Sequence, residues 1–251
     1  MLRKLFQLLP EWAKEPVRLT RDFVMSILYR GWGRWCPVCE KSSRRFRPFG
    51  IMKREDGQCM QCGALERHRF VWLFFSKMTN LLDKTHKRML HVAPEGFFEF
   101  RMRNCVGQDY ITADLLDPRV MVRMDITDIQ YPDGYFDIIY CSHVLEHVLD
   151  DKKAMREFYR VLKQGGWAVL LVPITADKTF EDSLVVDPSE RLRVFGQSDH
   201  VRRYGTDYID RLREARFNVK TISPSDMFDM NDIVRMGLTP ASGDIFYCIK
   251  E

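Results

Sequence analysis

The chain has 251 residues, of which 45% are hydrophobic and 29% are charged. This length allows one full α/β domain with a sizeable core and a small additional module. The charged fraction excludes a membrane-embedded or compositionally disordered chain, and no apolar run approaches the roughly 20 residues that span a bilayer. The first residues lack the long apolar core and cleavage site of a signal peptide, so we expect a cytoplasmic protein.

The net charge of +4 hides an uneven distribution along the chain. Residues 1–90 contain 19 Lys and Arg against 8 Asp and Glu, whereas residues 91–251 contain 20 against 27. The basic N-terminal part, residues 1–90, is followed by an acidic part, residues 91–251. This distribution indicates an anionic partner for the N-terminal part, such as nucleic acid, a phosphorylated carrier or a membrane surface. The alternative is a solvated basic surface that binds no partner.

Residues 1–35 are predicted to form an amphipathic helical segment, because four apolar side chains fall on one helical face, namely Phe23, Val24, Ile27 and Leu28. We favour a segment that docks on the domain that follows. The alternative is a helix on a membrane surface, because basic residues flank the apolar faces, namely Arg3, Lys4, Arg30 and Arg34. Peripheral membrane contact therefore stays open beside the cytoplasmic expectation.

Four of the seven cysteines form two CxxC pairs, CPVC and CMQC, with 19 residues between them. Each pair places two thiolates on one side of a tight turn, and two such turns supply the four ligands of a tetrahedral zinc ion. The alternative, a redox dithiol, needs only one such pair. We therefore predict a structural zinc site without catalytic function, formed by Cys36, Cys39, Cys59 and Cys62. The remaining cysteines lie beside apolar residues, as buried structural thiols do, namely Cys105, Cys141 and Cys248.

The predicted zinc module covers residues 36–69. The linking segment that follows, 70–87, begins with the apolar run FVWLFFSKMTNLL, which predicts a buried helix over 70–82. Between the cysteine pairs lies SSRRFRPFG, in which Arg44, Arg45 and Arg47 flank Phe46. Guanidinium groups beside an aromatic ring can bind phosphate or a stacked base. The favoured alternative is an exposed ribbon tip with the ring of Phe46 packed inward.

From residue 88 to residue 251, short apolar runs alternate with helical stretches. Predicted strands cover 88–93, 110–115, 120–126, 136–142, 167–173, 217–223 and 244–250, and predicted helices cover 96–105, 150–163 and 206–217. The pair Gly165-Gly166 is expected to end the helix over 150–163. Alternation of helices with apolar strands predicts a parallel sheet covered on both faces, in an α/β fold of the Rossmann-like type.

Two predicted strands end in carboxylates that suit a nucleoside. Asp114 closes the second strand, about 20 residues beyond the turn LHVAPEG that follows the first, and a carboxylate there can accept both ribose hydroxyls. Asp125 and Ile126 stand at the end of the third strand, where a carboxylate can bond an adenine amino group and an apolar side chain can cover the ring. The pattern predicts a nucleoside-containing cofactor at this edge of the sheet.

The run DITDIQYPDGYFDIIYCSHVLEHV, followed by EFYRVLKQGGWAVLLVP, resembles class I S-adenosylmethionine-dependent methyltransferases of the small-molecule branch, which includes the ubiquinone-type enzymes. The resemblance covers residues 88–223. A narrower resemblance, to a bacterial subfamily with four cysteines at its front, rests on LERHR, HVAPE and ERLRVFGQSDHVRRYG. These resemblances imply S-adenosylmethionine as the cofactor and a seven-stranded sheet.

The resemblance also implies a cofactor pocket at the carboxyl ends of the first four strands. In the first turn, His91 stands where the family has an acidic residue, while Ala93 and Glu95 replace two glycines. The cofactor-binding residues implied in this way are His91, Ala93, Pro94, Glu95, Asp114, Leu115, Asp125, Ile126, Ser142 and His143.

Two segments are predicted to act on the methyl acceptor. His143, in SHVLEHV after the fourth strand, can serve as general base or as a pocket wall, whereas Glu146 and His147 are assigned structural roles. The loop 175–205 is predicted to be a substrate lid, since long loops without periodicity are often binding loops.

Within this lid, His200 is predicted to be the general base, with the carboxylate of Asp199 orienting its imidazole. The predicted acceptor contacts are Glu181, Asp182, Arg202 and Tyr204. The alternative is a salt-bridged lid that transfers no proton.

We therefore predict a methyltransferase that acts by in-line displacement at the sulfonium methyl, on an oxygen or nitrogen of a small-molecule or glycan-type acceptor, free or carrier-bound. The chain lacks the Asn/Asp-Pro-Pro-aromatic turn that is used on exocyclic amino groups of bases. One alternative is an RNA methyltransferase whose zinc module reads RNA, which the basic residues 1–90 favour. Another is a non-catalytic scaffold that binds S-adenosylmethionine, which the altered turn at 91–95 favours.

Overall fold

The computed structural model describes residues 10, 16–17, 20, 24, 27–50 and 53–251. The chain divides into two compact units. The cysteine unit comprises Met1–Met78 and Met227–Ser242, and the sheet unit comprises Thr79–Asp226 and Gly243–Glu251. The segment Met227–Ser242, which the sequence placed in the domain 88–251, therefore groups with the cysteines.

Helices and strands are numbered in chain order. The strands are β1 Arg34–Cys36, β2 Lys41–Ser43, β3 Arg47–Phe49, β4 Arg54–Gln58, β5 Met89–Val92, β6 Tyr110–Asp114, β7 Val122–Arg123, β8 Phe136–Ser142, β9 Leu162–Leu171, β10 Phe180–Glu181, β11 Arg202–Arg203, β12 Asn218–Ile222 and β13 Ile245–Ile249. The α-helices are α1 Glu66–Met78, α2 Gly96–Val106, α3 Asp151–Val161, α4 Pro188–Phe195, α5 Tyr208–Glu214, α6 Pro224–Met227 and α7 Met230–Met236. Short 3₁₀ helices cover Gly107–Asp109, Leu145–His147 and Pro240–Ser242.

Most of the predicted helical segment 1–35, including Phe23 and the basic pair Arg3 and Lys4, lies outside the described residues. The described apolar positions of its predicted face have helical backbone and are 47–59% exposed, namely Val24, Ile27 and Leu28. These three side chains are therefore not packed into a core. Among the residues that the structure describes, no helix is long and apolar enough to cross a membrane.

The sheet unit contains a seven-stranded sheet in the order β7-β6-β5-β8-β9-β13-β12. Its strands run parallel except β13, which is antiparallel to both of its neighbours. Every residue of β5 is buried, and β8 buries every residue except Asp137. Such continuously apolar strands require cover on both faces of the sheet. The predicted Rossmann-like α/β fold with a seven-stranded sheet is confirmed.

The third strand is shorter than the sequence indicates. Apolar residues over 120–126 predict a long strand, but β7 pairs with β6 only at Val122 and Arg123. The chain turns directly afterwards, because the amide of Thr127 donates to the Asp125 carboxylate at 2.8 Å and the amide of Asp128 donates to the Asp125 carbonyl at 3.0 Å. These turn bonds replace strand pairing at the edge of the sheet.

The glycine pair after α3 has a different role from the predicted one. The helix ends at Val161 before the glycines are reached, and both glycines lie inside β9. Gly165 has φ +75°, which favours glycine. A Cβ on Gly166 would lie 2.9 Å from the carbonyl oxygens of Asp137 and Lys163. The pair therefore lets β9 bend and approach its neighbours closely.

Arg69 on α1 lies at the buried centre of the cysteine unit. Its guanidinium donates hydrogen bonds to five backbone carbonyls, those of Asp56, Gly57, Ala64, Met236 and Gly237. Two of these carbonyls belong to the segment Met227–Ser242, so Arg69 ties that segment to the rest of the cysteine unit.

The ring of Phe46 lies beneath the same guanidinium, with the Arg69 Cζ 4.2 Å from the ring centroid. Phe46 is fully buried, whereas Arg44 and Arg45 beside it are exposed. Inward packing of Phe46 is therefore confirmed. The alternative, in which this ring stacks on a nucleic-acid base, is wrong because the ring is fully buried.

We expect the substitution Arg69→Lys to lower the free energy of unfolding by about 2–4 kcal/mol, because an ammonium group cannot reach five carbonyls and leaves several of them unpaired in the core. Urea denaturation followed by tryptophan fluorescence measures the effect. Arg235→Lys, at an exposed position of α7, is the matched control. An equally small loss in both variants would contradict the proposed role of Arg69.

Candidate cofactor site and cysteine cluster

The four cysteines of the two CxxC pairs converge on one point. The Cys36 and Cys62 sulfurs lie 3.7 Å apart, and the Cys39 and Cys59 sulfurs lie 3.8 Å apart. A tetrahedral zinc ion with Zn–S bonds of about 2.3 Å places its sulfurs about 3.8 Å from one another. The cluster is therefore compatible with zinc binding.

Tight turns hold these thiols in place. The amide of Glu40 donates to the Cys36 carbonyl at 2.8 Å, and the amide of Gly63 donates to the Cys59 carbonyl at 3.0 Å. Gly63 has φ +78°, so a side chain at this position would strain the second turn. The first turn begins at Cys36, the last residue of β1, and the second follows β4, which ends at Gln58.

In the sheet unit, parallel pairing brings three strand ends together. β5 lies between β6 and β8, and Val92 at its end pairs with Ala113 on one side and with Cys141 on the other. The segments that follow β5, β6 and β8 therefore leave the sheet at the same edge, as parallel strands require.

The end of β5 and the turn after it contain three of the predicted cofactor-binding residues, His91, Ala93 and Glu95. Ala93 adopts φ +50°, in the left-handed region that favours glycine, and its amide donates to the Ala113 carbonyl at 2.8 Å. His91 is fully buried. Its Nδ1 lies 2.7 Å from the Tyr110 hydroxyl and its Nε2 lies 3.2 Å from Glu95 Oε2. His91 thus holds the side chain of Glu95 at the end of β5.

The carboxylates after β6 and β7 shape their own turns. Asp114 Oδ1 accepts hydrogen bonds from the amides of Leu116 at 2.7 Å and Asp117 at 2.8 Å. Asp125 is exposed, whereas Ile126 beside it is buried. Asp114 therefore stands at the end of β6 with a carboxylate whose orientation is fixed by the backbone that follows.

At the end of β8, His143 also adopts a left-handed conformation, with φ +56°, and its amide donates to the Leu171 carbonyl at 2.9 Å. The neighbouring Ser142 is buried. Burial, together with the nearby carboxylates of Glu146 and Glu95, raises the pKa of the Cys141 thiol well above its usual value. Glu95 after β5 and Glu146 after β8 thus both place negative charge in the surroundings of Cys141.

The predicted lid is held down by a network of charges. Arg202 is 3% exposed and donates to Glu181 Oε2 at 2.9 Å and to the carbonyls of Leu145, Val148 and Leu149. Tyr204 is fully buried, and its hydroxyl donates to Asp151 Oδ2 at 2.6 Å. Arg211 contacts both Asp151 and Glu181 at 3.0 Å and 2.8 Å.

This network changes the interpretation of the predicted acceptor contacts. Arg202 and Tyr204 use their polar groups within the protein, so both hold the loop to the segment after β8. Asp182 is half-buried, and its carboxylate accepts a hydrogen bond from the Leu184 amide at 2.9 Å. Contact of Glu181, Asp182, Arg202 or Tyr204 with an acceptor stays a prediction.

The histidines group around Glu146. His143 Nδ1 lies 3.2 Å from Glu146 Oε1, and the rings of His147 and His200 pack edge to face with centroids 4.7 Å apart. His200 is 5% exposed, and burial lowers the pKa of its imidazole below the usual value. The lid thus brings His200 to the segment after β8, although a catalytic role for it stays a prediction.

The predicted pairing of Asp199 with His200 is wrong. The Asp199 carboxylate lies 3.4 Å from His147 Nδ1, and its carbonyl lies 3.3 Å from the same atom. The ring of His200 instead packs edge to face against the ring of His147. Adjacent residues in an irregular segment direct their side chains apart, so sequence adjacency did not indicate contact. Glu146 and His147, which the sequence analysis assigned structural roles, belong to this cluster, and the close spacing in LEHV was the signal for it.

Comparison with known proteins places a methyltransferase domain in the sheet unit. Residues 98–170 match the family described as "Methyltransferase domain". Ajmaline N-methyltransferase from Rauvolfia serpentina is 32% identical over 95 residues, which are 37% of this chain and 33% of that protein. The ubiquinone/menaquinone biosynthesis C-methyltransferase UbiE from Vibrio vulnificus is 44% identical over 50 residues, or 20% of this chain and 19% of that protein.

The chain thus spans about a third or less of the length of these curated relatives. Among solved structures, an S-adenosylmethionine-dependent methyltransferase from Mesorhizobium loti is 14% identical, with 70% of this chain and 96% of that chain covered and a TM-score of 0.48.

The charge network predicts a pH-dependent lid. Burial raises the pKa of Glu181, but hydrogen bonds from Arg211 and Arg202 outweigh it and lower the pKa below 4.5. A carboxylate with a lowered folded-state pKa stabilises the folded arrangement above the ordinary pKa, and this contribution is lost as the pH falls through the folded value. We therefore expect amide hydrogen exchange in residues 182–201, corrected for its intrinsic pH dependence, to be slow at pH 6 and to accelerate below pH 4.5.

The substitution Glu181→Gln should speed exchange in this loop at pH 6 and weaken its acceleration in acid. Glu190→Gln, which removes an exposed glutamate of the same loop, should keep the wild-type profile. Identical profiles for the wild type and Glu181→Gln would show that the ion pairs do not hold the loop.

Proposed function

We propose that the chain is an S-adenosylmethionine-dependent methyltransferase that acts on an oxygen or nitrogen of a small-molecule or glycan-type acceptor, free or carrier-bound. The observation that carries the proposal is the convergence of the segments after β5, β6 and β8 at one sheet edge, within a region that overlaps the methyltransferase-domain match over 98–170. Open α/β sheets bind their ligands at this edge.

The residues at this edge suit the parts of S-adenosylmethionine. Asp114 would accept the ribose hydroxyls from the end of β6, and Asp125 with Ile126 would meet the adenine. The left-handed backbone at Ala93 lets the chain turn sharply after β5, which brings backbone close to the cofactor. Ser142 and His143 would line the pocket from the end of β8.

Methyl transfer requires little covalent chemistry from the protein. The bond from the sulfonium sulfur to the methyl carbon breaks and leaves its electron pair on sulfur, while the acceptor's lone pair forms the new bond to carbon. A proton then leaves the acceptor. Alignment supplies much of the rate, and a base contributes about 10²–10⁴-fold. His143 and His200 are the proposed candidates for this base.

The names of the two curated relatives specify nitrogen and carbon acceptors. These names therefore do not decide which acceptor atom this chain methylates. The preference for oxygen or nitrogen here rests on the imidazoles beside the β8 end, which suit removal of a proton from a hydroxyl or amine.

We also propose that the cysteine cluster holds one structural zinc ion. Support comes from the sulfur separations of 3.7 Å and 3.8 Å, which fit a tetrahedral ion and are far longer than a disulfide bond of about 2.05 Å. Four thiolate ligands would fill the coordination sphere, so the ion would stabilise the fold of the unit and bind no substrate.

For the cofactor, we expect Asp114→Asn to weaken the binding of S-adenosylmethionine, since each lost charge-assisted hydrogen bond contributes about 1.5–3 kcal/mol. Asparagine keeps an oxygen that can accept from the amides of Leu116 and Asp117, so the turn is preserved. Isothermal titration calorimetry compares this variant with Asp128→Asn, an exposed position of the same unit. Equal affinity in both variants would remove Asp114 from the cofactor site.

For the metal, we expect one zinc ion per chain in freshly purified protein, measured by inductively coupled plasma mass spectrometry. Cys62→Ser should lose the ion and lower the melting temperature, whereas Cys105→Ser, outside the cluster, should retain it. A folded chain that carries no metal, or a disulfide that joins two of the four cysteines, would overturn the zinc assignment.

A further inference from the structure

The cluster of Glu146, His147 and His200 has the composition of a metal site. Each residue offers one ligand atom, and these three atoms lie within 4.8 Å of one another. Two imidazoles and one carboxylate form a ligand set that divalent first-row transition metals prefer, in contrast to the four thiolates of the cysteine cluster.

Two polar atoms of these side chains lack any partner in the described structure. Glu146 Oε2 and His200 Nε2 are both buried without a hydrogen bond. An unpaired buried carboxylate oxygen is costly, and so is an unpaired buried ring nitrogen. Both atoms belong to side chains that are nine-tenths or more buried, and a cation between them would satisfy both at once.

Other polar atoms of Glu146 and His147 are already engaged, in the manner of metal ligands. His147 Nδ1 faces the carbonyl of Asp199 at 3.3 Å, which leaves its Nε2 to coordinate. Glu146 Oε1 lies 3.2 Å from His143 Nδ1. Hydrogen bonds of this kind fix the tautomer and the orientation of metal-binding residues.

Two segments present the ligands, and the protein ties these segments together. The amide of Val201 donates to the Glu146 carbonyl at 2.9 Å, and Arg202 donates to the carbonyl of Leu145 at 2.8 Å. The lid residue His200 is thereby held against the 3₁₀ helix Leu145–His147. A site assembled from rigidly connected segments is preorganised for its ligand.

We propose that Glu146, His147 and His200 bind one divalent transition-metal ion. With three protein ligands, such an ion keeps at least one open coordination position, as catalytic zinc sites do. If His200 binds the ion, it cannot act as the base, and His143, whose Nδ1 lies 3.2 Å from Glu146 Oε1, is left as the candidate. An acceptor oxygen could occupy the open position, where the ion would lower the pKa of a hydroxyl. This last consequence rests on the proposed methyl transfer, whereas the metal site itself does not.

Cobalt titration of the full chain tests the proposal. The four-cysteine cluster is first saturated with zinc, and Co²⁺ is then added as a spectroscopic probe. We expect one further equivalent of Co²⁺ with visible d–d absorption and without the thiolate charge-transfer bands that cobalt in the cysteine cluster would show.

Two ligand variants and a control make the test specific. Glu146→Gln and His200→Ala should each weaken Co²⁺ binding at least about tenfold, with folding checked by circular dichroism. His86→Ala, which removes an exposed histidine paired with Asp109, should bind as the wild type does. Absence of the further equivalent at millimolar Co²⁺, or unchanged binding in both ligand variants, would overturn the proposal.

Calorimetry with S-adenosylmethionine on the same samples separates the two proposals. Cofactor binding without the further Co²⁺ would retain the proposed function and overturn the metal site. Co²⁺ binding without cofactor binding would do the reverse.

Discussion

The position of β5 between β6 and β8 is the constraint on which the candidate site depends. Hydrogen bonds on both sides of a fully buried strand fix its register with Ala113 and with Cys141. Because all three strands run in the same direction, their ends cannot diverge, and the segments that follow them must share one edge. Ala93, Asp114 and His143 are thereby placed by the sheet and not by contacts among themselves.

The second constraint is the anchoring of the lid. A loop of this length would ordinarily be free to move, but Arg202 binds three carbonyls after β8 and the buried hydroxyl of Tyr204 binds Asp151. The ends of the loop are thus part of the core. The middle of the loop, around α4, is largely exposed.

Apolar patterning predicted much of the sheet unit. β8 has the predicted limits, and β5, β6, β12 and β13 lie within one or two residues of theirs, because buried parallel strands are continuous apolar runs that a sequence displays directly. The third strand is shorter than predicted, because apolar residues at the sheet edge give the same sequence pattern whether or not they pair with a neighbouring strand. The glycines of β9 were misread because glycine marks a helix end and a close strand approach equally well.

Contacts between distant segments were not predictable in this way. Nothing in the local pattern of residues 227–242 indicates that their carbonyls bind Arg69, which lies 167 and 168 positions earlier in the chain. The same holds for Asp199, whose carboxylate faces His147 and not its neighbour His200. The cysteine cluster was the exception, because CxxC turns prescribe their own geometry and two of them define a site.

We propose that S-adenosylmethionine binds at the edge formed by β5, β6 and β8. A crystal structure of the full chain with S-adenosylhomocysteine, the product of methyl transfer, is the decisive experiment. We expect ribose hydroxyls on the Asp114 carboxylate, adenine beside Ile126 and the sulfur near Ser142 and His143. A ligand bound elsewhere on the protein, or a chain that takes up no ligand at saturating concentration, would contradict it.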